Sequence, residues 1–361
     1  MKKEKVLILF SSGGLGGAER SLSRMALASK DVEYKLASLA HAGPWFEWIR
    51  NEGATPIALG TQSENWALAF WRLLLYLNNN PQDVIYICGF RAATILRFLR
   101  ILLPHTKLVH GVRWNPDSQS RLDVIFRTTE RLTNCLIDAW ITNSLAAKTT
   151  LVKRCGIAPK RIRVIYNGID HLPKLNSSHT QPPPEVVTVA NLNPRKGHLE
   201  YLDIIGHVIK KVPNSKFVFI GRDDMNGKIQ EAITAKGLRS HVEFVDFQKN
   251  VSKWLQRAKI FVLPSLWGEG CPTSILEAFG HKLPVLAHNI DGISELVEDG
   301  IDGFLFPVGS RSFPEKITEL LGDAKQLEQL GKKGREKVSK RFSLDSCIDR
   351  HKAAFLELTD K

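Results

Sequence analysis

Short apolar runs alternate with longer helical stretches along this chain, twice over. Residues 6–10, 34–39, 56–59, 84–87, 107–110, 139–142 and 162–165 read as strands. Between them, residues 18–28, 45–51, 66–78, 92–103, 118–135 and 145–155 read as helices. Strands that are apolar throughout and spaced by helices pair in parallel, with helices covering both faces of the sheet. A polar, proline-rich run, LPKLNSSHTQPPPE, interrupts the pattern, and the alternation restarts at residues 185–190. It reads as an interdomain linker. The expected fold class is therefore α/β, with two doubly wound parallel domains. The helix at 66–78 is apolar around most of its circumference and is expected to be buried between the sheet and a neighbour. The next one, RAATILRFLRILL, sets Arg91, Arg97 and Arg100 beside Ile95, Phe98, Leu99 and Leu102. That pattern suits an anionic bilayer surface, and equally a core helix with solvated arginines.

At 361 residues the chain is long for one domain and comfortable for two. Its five cysteines form no C-x-x-C pair, which argues against a disulfide framework or a zinc site and fits a reducing compartment. The apolar run near the start is too short for a signal peptide, and no run approaches a membrane span. A cytoplasmic protein is expected. The net charge of +13 is unevenly held: residues 1–171 carry 23 Lys+Arg against 13 Asp+Glu. Such an excess suits an anionic partner: a phosphorylated acceptor, an anionic membrane face or nucleic acid.

The loop SSGGLGG follows the first strand and opens a helix, a geometry that brings backbone close to phosphate. A dinucleotide reading fails, because Glu19 occupies the third glycine position and the next strand end, LASLAH, offers no acidic residue for a ribose. The second half holds PSLWGEGCPTSILEAFG, residues 264–280, which runs from a buried-type strand through a loop into a helix. Pro272 suits a first helical turn, where a missing N–H costs nothing. The backbone donors of Thr273 and Ser274 and the helix dipole make that end an anion site, most naturally for phosphate. Glu269 lies in the loop before it and Glu277 about one turn inside the helix. A carboxylate beside a phosphate site serves best by facing hydroxyls.

The pattern E-G-C-P-x4-E-A resembles the retaining glycosyltransferases of family four. Their architecture, called GT-B, has two Rossmann-like domains facing across a central cleft. Four further stretches resemble the family in order: the glycine loop with Gly16 and Gly17, YNGID at residues 166–170, ANLNPRKG with Lys196 and Gly197, and the closing stretch PVLAHNIDGISELVEDGIDGFLFPVGS. The family's arginine near the strand end is replaced by Asn191 or Asn193, while Arg195 stands beside the lysine. Asp246 stands where the family has a glycine near the nucleotide base.

The resemblance implies a donor that is a nucleotide diphosphate sugar, with no further cofactor and no metal. The acidic pair Asp223–Asp224 lacks a partner cluster. Lys196, with Arg195 helping, would bind the diphosphate and stabilise it as leaving group. The backbone from Gly270 through Cys271, Pro272 and Thr273 would add to that field, and Glu277 would hold the ribose. Glu269 and His110 would hold the donor sugar, with the Gly16–Gly17 loop packed against it. Arg113 and Trp114 would meet the acceptor, a glycan or a lipid-linked phosphate at a membrane surface. Nucleic acid is not an expected partner of such an enzyme.

The resemblance places an acceptor domain at residues 1–171, a linker at 172–184 and a nucleotide-sugar domain at 185–342. A helix at 343–361 would cross back to the first domain. Two rivals stay open: another GT-B enzyme, either an inverting transferase with His110 as base or a sugar-nucleotide epimerase, and a non-catalytic sugar-nucleotide-binding partner.

Overall fold

In a computed structural model, which describes residues 3–60, 65–170, 172–173 and 186–359, the chain divides into two compact units. One comprises residues 1–168 together with 344–361, the other residues 169–343. The proline-rich linker falls almost wholly outside the described residues.

The first unit runs β1 (Lys5–Phe10), α1 (Gly17–Ala28), β2 (Glu33–Ser38), α2 (Pro44–Asn51), β3 (Ile57–Ala58), α3 (Trp66–Asn79), β4 (Val84–Cys88), α4 (Phe90–Leu99), β5 (Lys107–Val112), α5 (Arg121–Thr133), β6 (Ala139–Thr142), α6 (Leu145–Cys155) and β7 (Ile162–Val164). The strands pair in the order β3-β2-β1-β4-β5-β6-β7, parallel throughout. Alternate residues of β1 face opposite sides. Leu7 and Leu9 join Leu73, Leu77, Leu96 and Phe126 under α3, α4 and α5. On the other side Phe10 packs on Trp45 of α2, with ring centroids 5.0 Å apart.

The second unit runs β8 (Val186–Val189), α7 (His198–Lys211), β9 (Phe217–Ile220), α8 (Lys228–Ala235), β10 (Val242–Val245), α9 (Ser252–Leu255), β11 (Ile260–Leu263), α10 (Thr273–Gly280), β12 (Val285–His288), β13 (Gly303–Phe306), α11 (Ser312–Gly322) and α12 (Ala324–Arg341). Its order, β10-β9-β8-β11-β12-β13, repeats that of β1 to β6 in the first unit, where β7 adds one more edge strand. The last helix, α13 (Leu344–Thr359), belongs to the first unit. There Phe355 lies against Tyr86 of β4, and Lys352 pairs with Asp31 at 2.6 Å.

Two expectations about helices are corrected. On α3, among the described side chains, only a stripe of Ala69, Leu73 and Leu77 is buried, whereas Trp71 is 57% and Leu75 60% exposed. A helix lying on one sheet face presents one stripe inward, and its outer residues stay exposed however apolar they are. On α4, Arg97 is not a surface charge. It is buried and ion-paired with Glu130 of α5, and Arg100 pairs with Asp138. The strand expected at 107–110 continues to Val112, and the helix expected from 118 starts at Arg121, where Ser120 Oγ accepts the Asp123 N–H at 3.2 Å.

Candidate active site

In both sheets the strand order reverses once, between β1 and β4 and between β8 and β11. Ligands of open α/β sheets bind outside the carboxyl ends of the strands at such a reversal. In the second unit the loops after β8 and β11 meet there. After β8 a short turn, Pro194–Lys196, leads to Gly197 at φ +68, where an added Cβ would lie 2.1 Å from the Pro264 carbonyl oxygen. Only glycine lets the two loops approach so closely.

That approach brings Lys196 Nζ within 2.5 Å of Glu269 Oε1, with side chains only 13% and 6% exposed. Glu269 also accepts from Ser265 Oγ at 2.5 Å, and its own N–H donates to Asp291 Oδ2 at 3.1 Å. The same Asp291 oxygen accepts the Gly268 N–H at 2.6 Å, and Arg195 Nη1 donates to the Gly268 carbonyl at 3.0 Å. Asp291 and Arg195 thus fix the loop that carries Glu269. Burial alone would raise the Glu269 carboxyl, but Lys196 and Arg195 outweigh it and hold the group below its ordinary range. Burial lowers the Lys196 ammonium, with Glu269 opposing and Arg195 adding to the shift.

Gly270 and Cys271 are buried and lead into α10. Pro272 takes the N-cap position in extended geometry, and its own side chain makes no capping hydrogen bond. Thr273 opens α10, whose first turn carries no acidic residue. Half-buried Glu277 sits one turn in, and its carbonyl faces His281 Nδ1 at 2.7 Å. Asn191 Oδ1 accepts the Arg222 N–H at 3.2 Å, so the place of the expected arginine is a turn contact. Asp223 accepts the N–H groups of Met225 and Gly227 at 2.8 and 2.7 Å, and Asp224 pairs with Arg222. Asp246 Oδ1 accepts the Phe247 N–H at 2.6 Å. Among the described residues no group of three or more His, Cys, Asp or Glu is placed to hold a metal ion.

The first-unit candidates lie apart from this cluster in the chain and have partners of their own. Gly16 donates its N–H to Glu19 Oε2 at 3.1 Å, and Gly17 starts α1 with open space beside it. The crowded glycine of this loop is Gly13, where a Cβ would lie 2.1 Å from the Ala42 carbonyl oxygen. His110 is the fourth residue of β5 rather than its last, and it is fully buried. Its Nδ1 lies 3.0 Å from Glu130 Oε1, while Nε2 has no partner among the described residues. Glu130 also takes Arg97 and the Trp140 indole N–H. Burial would raise its carboxyl, but His110 and Arg97 outweigh that and bring it to about 2. Arg113 turns toward Asn167 and Ser21 within the unit. Trp114 packs on Phe126 at 5.0 Å and donates its indole N–H to Asp123 at 3.2 Å, so its ring is already engaged.

Sequence reasoning missed Ser265, Asp291 and Glu130. Asp291 carried a local signal, the D-G turn of the closing stretch; the other two carried none.

Residues 15–171 match the domain family described as Glycosyltransferase Family 4, and residues 174–337 match Glycosyl transferases group 1. The chain is similar to UDP-Gal:alpha-D-GlcNAc-diphosphoundecaprenol alpha-1,3-galactosyltransferase of Escherichia coli, 26% identical over 69% of this chain and 68% of that one. It is also similar to the capsular polysaccharide biosynthesis glycosyltransferase CapH of Staphylococcus aureus, 24% identical over 81% and 83% of the two chains. Among solved structures, Anabaena HepE in complex with UDP and glucose matches with a TM-score of 0.85 at 21% identity, over 99% of this chain and 100% of that one.

Proposed function

We propose that this chain, which belongs to the glycosyltransferases of GT-B fold, transfers a sugar from a nucleotide diphosphate sugar to an acceptor hydroxyl with retention of configuration. The observation that carries the reading is the Lys196–Glu269 pair at the strand-order reversal, in the loop that leads into the N-terminus of α10.

A diphosphate seated at that terminus competes with Glu269 for the Lys196 ammonium. The displaced carboxylate then accepts from donor-sugar hydroxyls, and Glu277 accepts from the ribose. Lys196, Arg195 and the backbone amides from Gly270 to Thr273 meet the negative charge that grows on the leaving phosphate. This role needs neither a metal ion nor a cofactor beyond the donor. The bond from the anomeric carbon to the phosphate oxygen breaks, and the acceptor oxygen bonds on the same face. The acceptor proton passes to the leaving phosphate. The HepE complexes with UDP, glucose and UDP-glucose support a uridine donor. The Escherichia coli and Staphylococcus aureus relatives support an acceptor in glycolipid or surface polysaccharide assembly.

Among the described residues no helix is long and apolar enough to cross a membrane. Reversible contact with an anionic, cytosolic membrane face fits the outer side of the first unit. There Phe98, Ile101, Leu122 and Leu132 are exposed, the last two beside Arg121 and Arg131 on α5. A panel of nucleotide sugars scored by thermal stabilisation tests the donor reading. Stabilisation by a UDP-sugar is expected, and stabilisation by none of the panel contradicts it.

A further inference from the structure

The last four carbonyls of α10 have no acceptor role left within a helix that ends at Gly280, so each needs a donor from beyond it. Ala278 takes the His281 and Leu283 N–H groups and Phe279 takes that of Lys282, all at 3.0 Å, while Gly280 accepts from Arg335 of α12. The remaining carbonyl is that of Glu277. Its backbone bond from His281 is long, 3.2 Å, and shared with Ala278, whereas Nδ1 of the His281 ring lies 2.7 Å from it. We propose that His281, held by Ser252 of α9, is a positioning residue for Glu277 and thereby sets the affinity for the donor ribose. The proposal rests on the transferase reading, in which Glu277 accepts from that ribose.

A carbonyl only accepts, so Nδ1 carries the ring proton. Nε2 of the neutral ring is then the acceptor, and Ser252 Oγ, 2.7 Å away, donates to it. Burial lowers the His281 imidazolium, the Glu277 carbonyl opposes that shift and the Arg335 charge adds to it, so the ring keeps this neutral form at pH 7. Ser252 is itself fixed. Its N–H donates to Asn250 Oδ1 at 2.8 Å, and Gln256 Nε2 donates to its hydroxyl at 3.4 Å. From the other side α12 comes so near that a Cβ on Gly331 would lie 1.9 Å from the Lys282 carbonyl oxygen. The turn that ends α10 is thus pinned between α9 and α12, and the His281 ring carries that constraint to the Glu277 peptide. The Cα–Cβ bond of a helical residue leans toward the helix N-terminus, so the Glu277 side chain sets out toward the end of α10 that leads the phosphate reading. A twist of the last turn redirects that side chain, while the amides of Thr273 and Ser274 belong to the first turn and are spared.

Titration calorimetry with UDP, 2′,3′-dideoxy-UDP and pyrophosphate separates positioning from mere support of the fold. His281→Leu should weaken UDP about fivefold or more and change dideoxy-UDP and pyrophosphate by less than about twofold. The two insensitive ligands show in the same samples that the variant is folded. His281→Gln, whose amide can still donate and accept, should recover most of the UDP affinity, and Ser252→Ala should fall between parent and His281→Leu. Added to Glu277→Gln, His281→Leu should cost no further UDP affinity, because the carboxylate that it positions is gone. Equal loss of UDP and dideoxy-UDP in His281→Leu overturns the proposal, as does parental UDP affinity in that variant or an additive loss in the double variant. Glu277→Gln that weakens UDP and dideoxy-UDP alike removes the ribose role of Glu277 itself, and the proposal falls with it.

Discussion

Lys196 Nζ lies 2.5 Å from Glu269 Oε1, although the two residues are 73 positions apart and both are largely buried. The contact depends on the αL turn at Gly197, which lets the loop after β8 touch the loop after β11.

If Lys196 holds the donor diphosphate as proposed, Lys196→Ala removes a charge-assisted contact worth about 1.5–3 kcal/mol. UDP affinity should fall roughly 10- to 150-fold by titration calorimetry. The substitution also leaves Glu269 buried without its cation, so the melting temperature should drop. Adding Glu269→Gln should recover part of that stability without restoring UDP binding. Parental UDP affinity in Lys196→Ala would remove the phosphate role.

Glu277→Gln and Glu269→Gln should fail differently. On the proposed roles the first would weaken contacts to ribose hydroxyls, so its penalty should shrink with a 2′,3′-dideoxyribose donor. The second should lower affinity for the intact nucleotide sugar and spare free UDP. Equal loss of free-UDP binding in both variants contradicts the division of roles.

Much of this site was legible beforehand. Gly197, Lys196, Glu269 and the helix after Pro272 could be found because turn and helix-start residues act locally. Ser265 could not, and the D-G turn at Asp291 gave its place but not its role, since what both do depends on which amides and carboxylates the loops bring near. Arg97 shows the same limit: periodicity placed it on a helix face but could not show Glu130, 33 residues on, waiting beneath that face. The exposed side of α3 was misread because hydrophobicity reports what a residue would prefer to bury, not whether a neighbour exists to cover it.

Acid should destabilise the protein from about pH 6.5 downward. Burial pushes His198 and His351 to about 3, so each stays neutral when folded while its unfolded counterpart takes a proton below 6.5. Between pH 6.5 and 3 the unfolded state therefore binds more protons, and stability falls as pH falls. At pH 4.5 each histidine accounts for roughly 2–3 kcal/mol. Glu130, at about 2 when folded against an ordinary 4.5, adds a further loss below pH 4.5. Melting curves from pH 7.5 to 4.5 should show the decline, and His198→Phe, which keeps a ring against Phe219, should flatten it. An unchanged slope in that variant would contradict the assignment.

Membrane contact through α5 should depend on both charge and apolar surface. Co-sedimentation with vesicles should rise with anionic lipid and fall with salt, because each basic residue near the surface contributes about 1 kcal/mol that salt screens. Leu122→Ser with Leu132→Ser should weaken it while UDP binding stays parental. Binding that ignores lipid charge and salt contradicts the reading.

Transfer itself tests the central claim most directly. The purified protein is incubated with an α-linked UDP-sugar and a lipid-phosphate-linked sugar acceptor, and the anomeric proton of the product is read by NMR. The account predicts an α-linked product that disappears in Lys196→Ala. A β-linked product, or undiminished product from Lys196→Ala, would contradict it.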